Sequence, residues 1–427
     1  MSADADRPLN WKRNLAFVSV AQFFAIAGFG FSLPFIPFYI REVLGVTADA
    51  DLSLWVGIFS ASGHLALFIS SPVWGFIADI YGRRSMVLRA NFCSALLLPL
   101  MLLAPGVGWL VMLRFLLGSF AGTVSASQSL IASNTPSEHI GFAMGTVSSA
   151  VGSGNLAGFV LGALVVQHLG YAAGFITSGV MLAIAGFLTL FGTCENFTRT
   201  TTLRGALRQT GRFTLPRFGG VWLLLGLMAA SAYVSAFERP FVPLMTELIV
   251  GTAGAKIWTS IVLGGSAIAG IIAGGVMGRL ADRFTPAKVG FLATILAAIA
   301  TIPMALATTI GVFAGTRMVM SFFAAGLDPV FQIWLAKCAP ANKRSLFLGW
   351  GTSFRALGWF ACALTAGGVA MLGGVRMVFF VTAGLFLLLA PVIAFTARHL
   401  SSLAAVAGSS GHPAHPTTLD PHGHSAA

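Results

Sequence analysis

Acidic side chains are scarce in this chain. There are 13 Asp and Glu in 427 residues, and charged residues of both signs make up only 9%. A soluble domain carries about 25% charge, and a chain with 56% hydrophobic residues could not cover its apolar surface with so few polar groups. A soluble fold is excluded, and the composition is that of a polytopic membrane protein. Cysteine is rare too. Cys93, Cys194, Cys338 and Cys362 lie far apart with no CxxC spacing, which argues against a disulfide framework or a thiolate metal site and leaves packing roles. No Gly-x-x-x-x-Gly-Lys-Ser/Thr loop is present, so ATP is not the energy source. The loops are too short, and too poor in His, Asp, Cys and Ser, to build an enzyme's active site. Neither catalytic residues nor a cofactor nor a resident metal is expected.

What is abundant is apolar sequence, in runs about 20 to 28 residues long. Each is long enough to cross a hydrocarbon core of about 30 Å as a helix. The pattern predicts twelve spans, near 14–40, 54–79, 86–104, 109–133, 140–167, 172–194, 218–247, 257–281, 288–307, 310–336, 345–371 and 375–397. The first run is too long for a cleavable signal, and no small-residue cleavage site follows it. With both termini on the inside, eighteen Lys and Arg fall inside and three (Arg41, Lys256, Arg376) outside. That positive-inside bias orients the chain with cytoplasmic termini. The net charge of +12 is therefore a feature of topology and does not point to nucleic acid, because no basic patch is interleaved with stacking aromatics.

The polar stretch "ENFTRTTTLRGALRQTGRFTLPR" holds five arginines and one glutamate. It reads as a cytoplasmic linker, 195–217, lying on the membrane surface. It separates a six-helix half at 1–194 from another at 218–400, followed by a tail at 401–427 of disorder-promoting composition. His412, His415, His422 and His424 in that tail read as solvated side chains, with metal binding the less favoured reading.

The halves repeat each other. At an offset of 203 to 206 residues, "PFIP" (34–37) falls on "PFVP" (240–243), Trp55 on Trp258, Gly75 on Gly278, Asp79 on Asp282, Arg114 on Arg317, Pro136 on Pro340 and Gly145 on Gly349. Seven matches in order are the signature of a transporter built from two parallel repeats, with its substrate site between them.

With these residues in view, the chain resembles the major facilitator superfamily over roughly residues 10–400. "GFIADIYGRR" (75–84) is similar to that family's loop 2–3 motif, with Gly75, Asp79, Gly82, Arg83 and Arg84 in the motif positions and Gly278 and Asp282 in a shorter second copy. "RFLLGSFAG" (114–122) resembles its arginine-bearing span 4. "NWKRNL" (10–15), "RFLLG" and "SFRALG" (353–358) look like the bacterial multidrug-efflux branch of the 12-helix drug:proton antiporters. One departure stands in span 5, where Phe159 occupies the place of that branch's proline. Gly154, Gly158 and Gly162 keep the GxxxGxxxG spacing that allows close helix contact.

The resemblance implies an all-α fold of twelve spans in two pseudo-symmetric halves. It implies that span 2 packs on span 11, with Asp79 facing the positive start of that helix, and that Gly278 and Asp282 do the same against span 5. Arg83 and Arg84 would anchor the loop at the anionic inner leaflet. Such contacts would close the cytoplasmic side in one state and break in the other. The resemblance also implies a monomer, and a central cavity lined by spans 1, 4, 7 and 10.

A charge at the centre of a bilayer costs at least about 2.5–3.5 kcal/mol, so each embedded one is a functional candidate. There are six: Arg114 in span 4, Glu238 and Arg239 in span 7, Arg317 and Asp328 in span 10, and Arg355 in span 11. Five fall on the cavity-lining spans. Glu238 and Asp328 are the candidate proton carriers, Glu238 towards the outer mouth and Asp328 deeper, with Arg355 a partner for Asp328. A fixed salt bridge is the structural reading of each acid. His64 reads as a packing histidine or a titratable group. Gln22, Gln128 and Gln332 add polar surface, and Tyr233 and Phe237 stand for the aromatics of spans 1 and 7 (Phe24, Phe31, Phe35, Tyr39 and Phe241 besides) as substrate contacts.

The expected activity is proton-coupled export of small amphipathic organic molecules from the bacterial inner membrane by alternating access. Four embedded arginines against two acids leave room for a specific anionic or zwitterionic substrate, such as a siderophore. An importer of the same fold is the near rival, and a non-transporting receptor a more distant one.

Overall fold

The computed structural model describes residues 10–136, 139–195, 219–338 and 344–409. The linker beyond Glu195, the histidines of the tail, and the side-chain surroundings of Gly75, Asp79, Gly278 and Asp282 lie outside the described residues. Within them the chain is helical and carries no strand. Its helices are α1 (Trp11–Ser32), α2 (Ile36–Glu42), α3 (Asp49–Tyr81), α4 (Arg83–Leu100), α5 (Val107–Phe120), α6 (Thr123–Asn134) and α7 (Ile140–Gly192). The second half holds α8 (Gly219–Ala236), α9 (Val242–Arg283), α10 (Pro286–Leu306), α11 (Ile310–Cys338) and α12 (Arg344–Ser409). Helices are the form available to such sequence in lipid, because each backbone polar group must be satisfied within the chain.

Nine helical stretches among the described residues are long and apolar enough to cross a membrane. Three of them, Phe142–Gly192, Val221–Ala281 and Trp350–Leu400, run for 51, 61 and 51 residues, about twice or more what one crossing takes. Each is interrupted by a glycine with positive φ: Gly170 at 81°, Gly251 at 75° and Gly374 at 77°. A side chain would be strained there. The chain doubles back at such a glycine, as the packing of α7 on α1 records. Gly154 meets Phe23 and Gly162 meets Phe31; beyond Gly170, Gly174 meets Phe31 again and Gly192 meets Phe17. Counting each of the three as two crossings gives the twelve expected from the sequence.

The turns extend the internal repeat. Gly45 (φ 73°) and Gly251 (φ 75°) are 206 residues apart, and Gly170 and Gly374 are 204 apart. The packing repeats as well. A Cβ on Gly154 would stand 2.7 Å from the Phe23 carbonyl, and one on its repeat mate Gly358 would stand 2.2 Å from the Ala229 carbonyl. Spans 1 and 7 both break at their "PFxP" sequence, where a 3-10 turn (Leu33–Phe35, Arg239–Phe241) carries a proline that has no N–H to donate.

Span 2 packs on span 11 as the sequence resemblance implies, with Gly57 against Gly367. The GxxxGxxxG face of span 5 is a packing surface for span 1. Gly158 touches Ala27 and Gly30, and its missing Cβ would lie 2.5 Å from the Ala27 carbonyl. Gly158→Val is expected to cost about 1–3 kcal/mol through overpacking, read as a lower melting temperature of the purified protein. Unchanged stability would remove this contact from the account of the fold.

α12 continues past the last apolar run to Ser409. Residues 401–407, SSLAAVA, hold no Gly or Pro, and Gly408 stands only at the penultimate helical position. Span 4, expected as one helix, is two. It breaks at Ala121 and Gly122, whose φ is 106°.

Candidate functional site

At the end of the molecule that holds the α3–α4 loop, Gly82 (φ 86°) lets the chain turn between the two helices. The first backbone N–H groups of α4 are orphan donors with a partial positive charge. Both Glu195 carboxylate oxygens accept from them, at 3.0 Å from Arg83 N and 2.8 Å from Arg84 N. The Arg84 guanidinium donates to the Leu190 carbonyl at 2.5 Å. The start of the linker is thereby fastened to the motif. Through its bond to Leu190 the Arg84 guanidinium, expected from the resemblance to hold the loop at the inner leaflet, also contacts the protein. Asn14 and the Cys194 backbone exchange two hydrogen bonds beside this point (2.7 and 3.0 Å).

The break in span 4 is also supported from outside the helix. Trp74 Nε1 donates to the Ser119 carbonyl at 2.7 Å and Arg89 to the Ala121 carbonyl at 3.3 Å. The Arg89 guanidinium lies 3.6 Å from the centre of the Trp74 ring. Neither residue stood out in the sequence, where Arg89 counted only as an inside cation.

Deeper in, the embedded charges sort into pairs. Glu238 stands where span 7 breaks at "ERPF" and accepts from Arg317 on α11. Both side chains are almost fully buried. Glu238 therefore does not sit in an open outer mouth as its position near the end of span 7 suggested, because the 3-10 turn directs it towards span 10. Asp328 accepts from Arg355 on α12 and, at 2.9 Å, from Gln332 one helical turn further on. Arg355 also lies over Trp359, with 5.6 Å from its guanidinium carbon to the ring centre.

The two remaining arginines have no carboxylate partner among the described residues. Arg114 on α5 packs over the Phe59 ring at 5.6 Å and into the space beside Gly63. Arg239 faces a cavity. His64 on α3 is within reach of the electrostatic influence of both and lies 5.8 Å from the Trp359 ring. The cavity has a volume of about 220 Å³. Its walls come from span 5 (Asn155, Phe159), span 7 (Ser235, Glu238, Arg239), span 8 (Ser266) and span 10 (Arg317, Ser321). Phe159, where the efflux branch has proline, is thus a wall of the cavity.

Other candidates have structural uses. Gln22 is fully buried, and its amide donates to Ser127 at 2.7 Å, tying span 1 to span 4. Gln128 is half-buried on α6. The Tyr233 hydroxyl pairs with Thr365 at 2.8 Å, and its ring packs on Phe237, which is buried in the core with Phe31, Phe35, Tyr39 and Phe241. Phe24 packs against the same core. Among the described residues no group of His, Cys, Asp and Glu could hold a metal ion, and the four cysteines are free.

A second cluster was not visible as such in the sequence. At the end opposite the α3–α4 loop, Arg41 binds Glu247 at 2.5 Å and Asp49 at 2.7 Å. Lys256 binds Glu42 at 2.9 Å, and the Tyr171 hydroxyl donates to the same Glu42 at 2.8 Å. Arg41–Glu247 and Glu42–Lys256 join the first half to the second. Among the described residues these are the only ion pairs that do so. Arg41 and Glu247 are 206 residues apart, so they occupy equivalent places in the two repeats.

Twelve crossings in two repeats, with charges buried between them, define a membrane transporter and not an enzyme. The sequence profile of the Major Facilitator Superfamily matches residues 18–248 and 221–416, and the chain belongs to that family. It is 30% identical over 389 residues to the multidrug resistance protein MdtG of Klebsiella pneumoniae, covering 90% of this chain and 93% of that protein. The MdtG of Citrobacter koseri is also 30% identical over 389 residues, with 90% and 94% covered. Among solved structures, a bacterial homologue of the human lysosomal transporter Spinster superposes with a TM-score of 0.73 at 13% identity, covering 90% of this chain and 96% of that one. The nucleoside transporter NupG does so with a TM-score of 0.72 at 13% identity, covering 90% and 99%. At that identity the likeness is one of fold.

Proposed function

We propose that the protein is a proton-driven exporter of small amphipathic organic molecules, working as a monomer in the bacterial inner membrane with both termini in the cytoplasm. The observation that carries export is the 30% identity, over 90% of both chains, to proteins named for multidrug resistance. The cavity supports transport of something partly polar: its wall combines an aromatic ring, serines and an arginine.

In this reading the two halves rock about the cavity, so that it faces one side of the membrane and then the other. The ion pairs from Arg41 and Lys256 close the periplasmic side. At the cytoplasmic side the resemblance gives Asp79 and Asp282 the role of closing that end in the opposite state. Asp328, held by Arg355 and Gln332, is the proposed proton carrier. Loss of the arginine contact as spans 10 and 11 shift against each other within the second half would raise its proton affinity, and restoring the contact would expel the proton.

The test is accumulation of fluorescent cationic, neutral and anionic compounds in cells with the protein, the Asp328→Asn variant or an empty vector, with and without a protonophore. The protein is expected to lower accumulation of part of the panel, and the protonophore to abolish that effect. Asp328→Asn is expected to reduce export about tenfold or more while the protein still reaches the membrane. Normal export by that variant would reassign Asp328 to structure and make Glu238 the carrier. Accumulation driven inward with the gradient would replace export by import.

A further inference from the structure

Of the six charged side chains embedded at the centre, four cancel in two pairs, Glu238 with Arg317 and Asp328 with Arg355. Arg114 and Arg239 are left over. The other eleven acids of the sequence lie in helix ends, loops or termini, and among the described residues none pairs with these two. The two arginines come from opposite halves, and the charge of each acts on His64. The turn Arg239–Phe241 packs directly on α3, the helix that carries His64. The Arg114 Nε is buried without an acceptor. Arg239 opens into the cavity, where the buried Ser235 hydroxyl also lacks a partner. Asn155 and Phe159 form the wall contributed by span 5.

The structure assigns this corner of the cavity to the carboxylate, or an equivalent singly charged oxyanion, of an amphipathic substrate. The Arg239 guanidinium and the Ser235 hydroxyl donate to it, a charge-assisted contact suited to arginine. Arg114, outside the cavity wall, adds a second positive charge from the other half that acts at longer range, and Phe159 meets the apolar body. The bound anion is then attracted by charges of both halves, which couples its binding to their approach. The site refines the export reading and rests on it.

The assignment is tested by thermal stabilisation of the purified full-length protein with three compounds of one shape: 1-naphthoate, neutral 1-naphthamide and cationic 1-naphthylmethylammonium. A ligand of the folded state raises the melting temperature by mass action. At matched ionic strength naphthoate is expected to raise it by about 3 °C or more over the amide and the amine. Arg239→Gln and Arg114→Gln are expected to lose that increment, Arg239→Lys to keep part of it, and Lys288→Gln, an exposed cation far from the cavity, to keep all of it. Should the glutamine variants not survive purification, Ser235→Ala is read in the same way and is expected to lose about half the increment or more. The assignment falls if naphthoate stabilises no more than the amide, or if its increment survives the changes at Arg239, Arg114 and Ser235. Binding is read without transport, so this outcome is independent of the export assay: cells that export while naphthoate fails would leave export standing and remove only the charge class.

Discussion

Replacing Arg317 by methionine is expected to lower the stability of the protein by about 3–5 kcal/mol. The reason is the partner left behind. Glu238 is 1% exposed and Arg317 3%, so removing the cation leaves a carboxylate in a low-dielectric interior with its principal counter-charge gone. The desolvation cost of that carboxylate remains while the attraction that offset it is lost. Glu238→Gln together with Arg317→Met removes both charges, and such double replacements are often neutral or stabilising. The double variant is therefore expected to melt near the parent temperature, and the single variant well below it. Transport separates structure from mechanism: the double variant is expected to fold but to export poorly, because the pair borders the cavity. A double variant that exports at the parent rate would show the pair to be a packing element alone.

The second large effect is expected at the opposite end of the transport path. Arg41→Glu places like charges where Arg41 and Glu247 now meet at 2.5 Å. The Glu247 side chain is 10% exposed there, so water screens the contact only in part. Repulsion is expected to shift the molecule from the closed towards the open state at that end by about tenfold or more, equivalent to about 1.4 kcal/mol. The readout is alkylation of a Ser235→Cys reporter by a membrane-impermeant maleimide in intact cells, with the four native cysteines replaced by serine. Labelling should rise in Arg41→Glu and fall back when Glu247→Arg is added. The restored pair loses the Arg41–Asp49 contact, but Asp49 is 87% exposed and a pair so open to water is worth little. Labelling that ignores both changes would mean that these charges do not govern closure.

The Arg41–Glu247 pair also measures how much of the site could be read in advance. The repeat offset of 206 was visible in "PFIP" and "PFVP", and the same offset sets Arg41 on Glu247. Opposite charges at equivalent places near a pseudo-twofold axis are a signal of contact, and the charges were read instead one at a time, as topology markers. Gly45 with Gly251 and Gly170 with Gly374 carry the same lesson, since their backbone angles repeat with the sequence. Glu238 was misplaced for a different reason. A helix extrapolated past Ala236 carries it outwards, but Pro240 breaks the helix and the 3-10 turn redirects the side chain. Gln22 looked like cavity surface because its type is polar, yet Ser127, 105 residues on, consumes its amide.

The sequence by itself determined the membrane class, the twelve crossings, the twofold repeat and the six embedded charges. Those properties follow from local composition against a solvent of fixed thickness, and a repeat is a comparison of the chain with itself. Only the tertiary structure decided which charges cancel. Glu238 and Arg317 are 79 residues apart, and Arg41 and Glu247 206, and helix packing alone makes neighbours of them. It also decided that Arg114 and Arg239 are the two left over. Whether a buried charge is part of a pair or part of a binding site depends on every other charge within a few ångströms, and that is a property of the packed molecule.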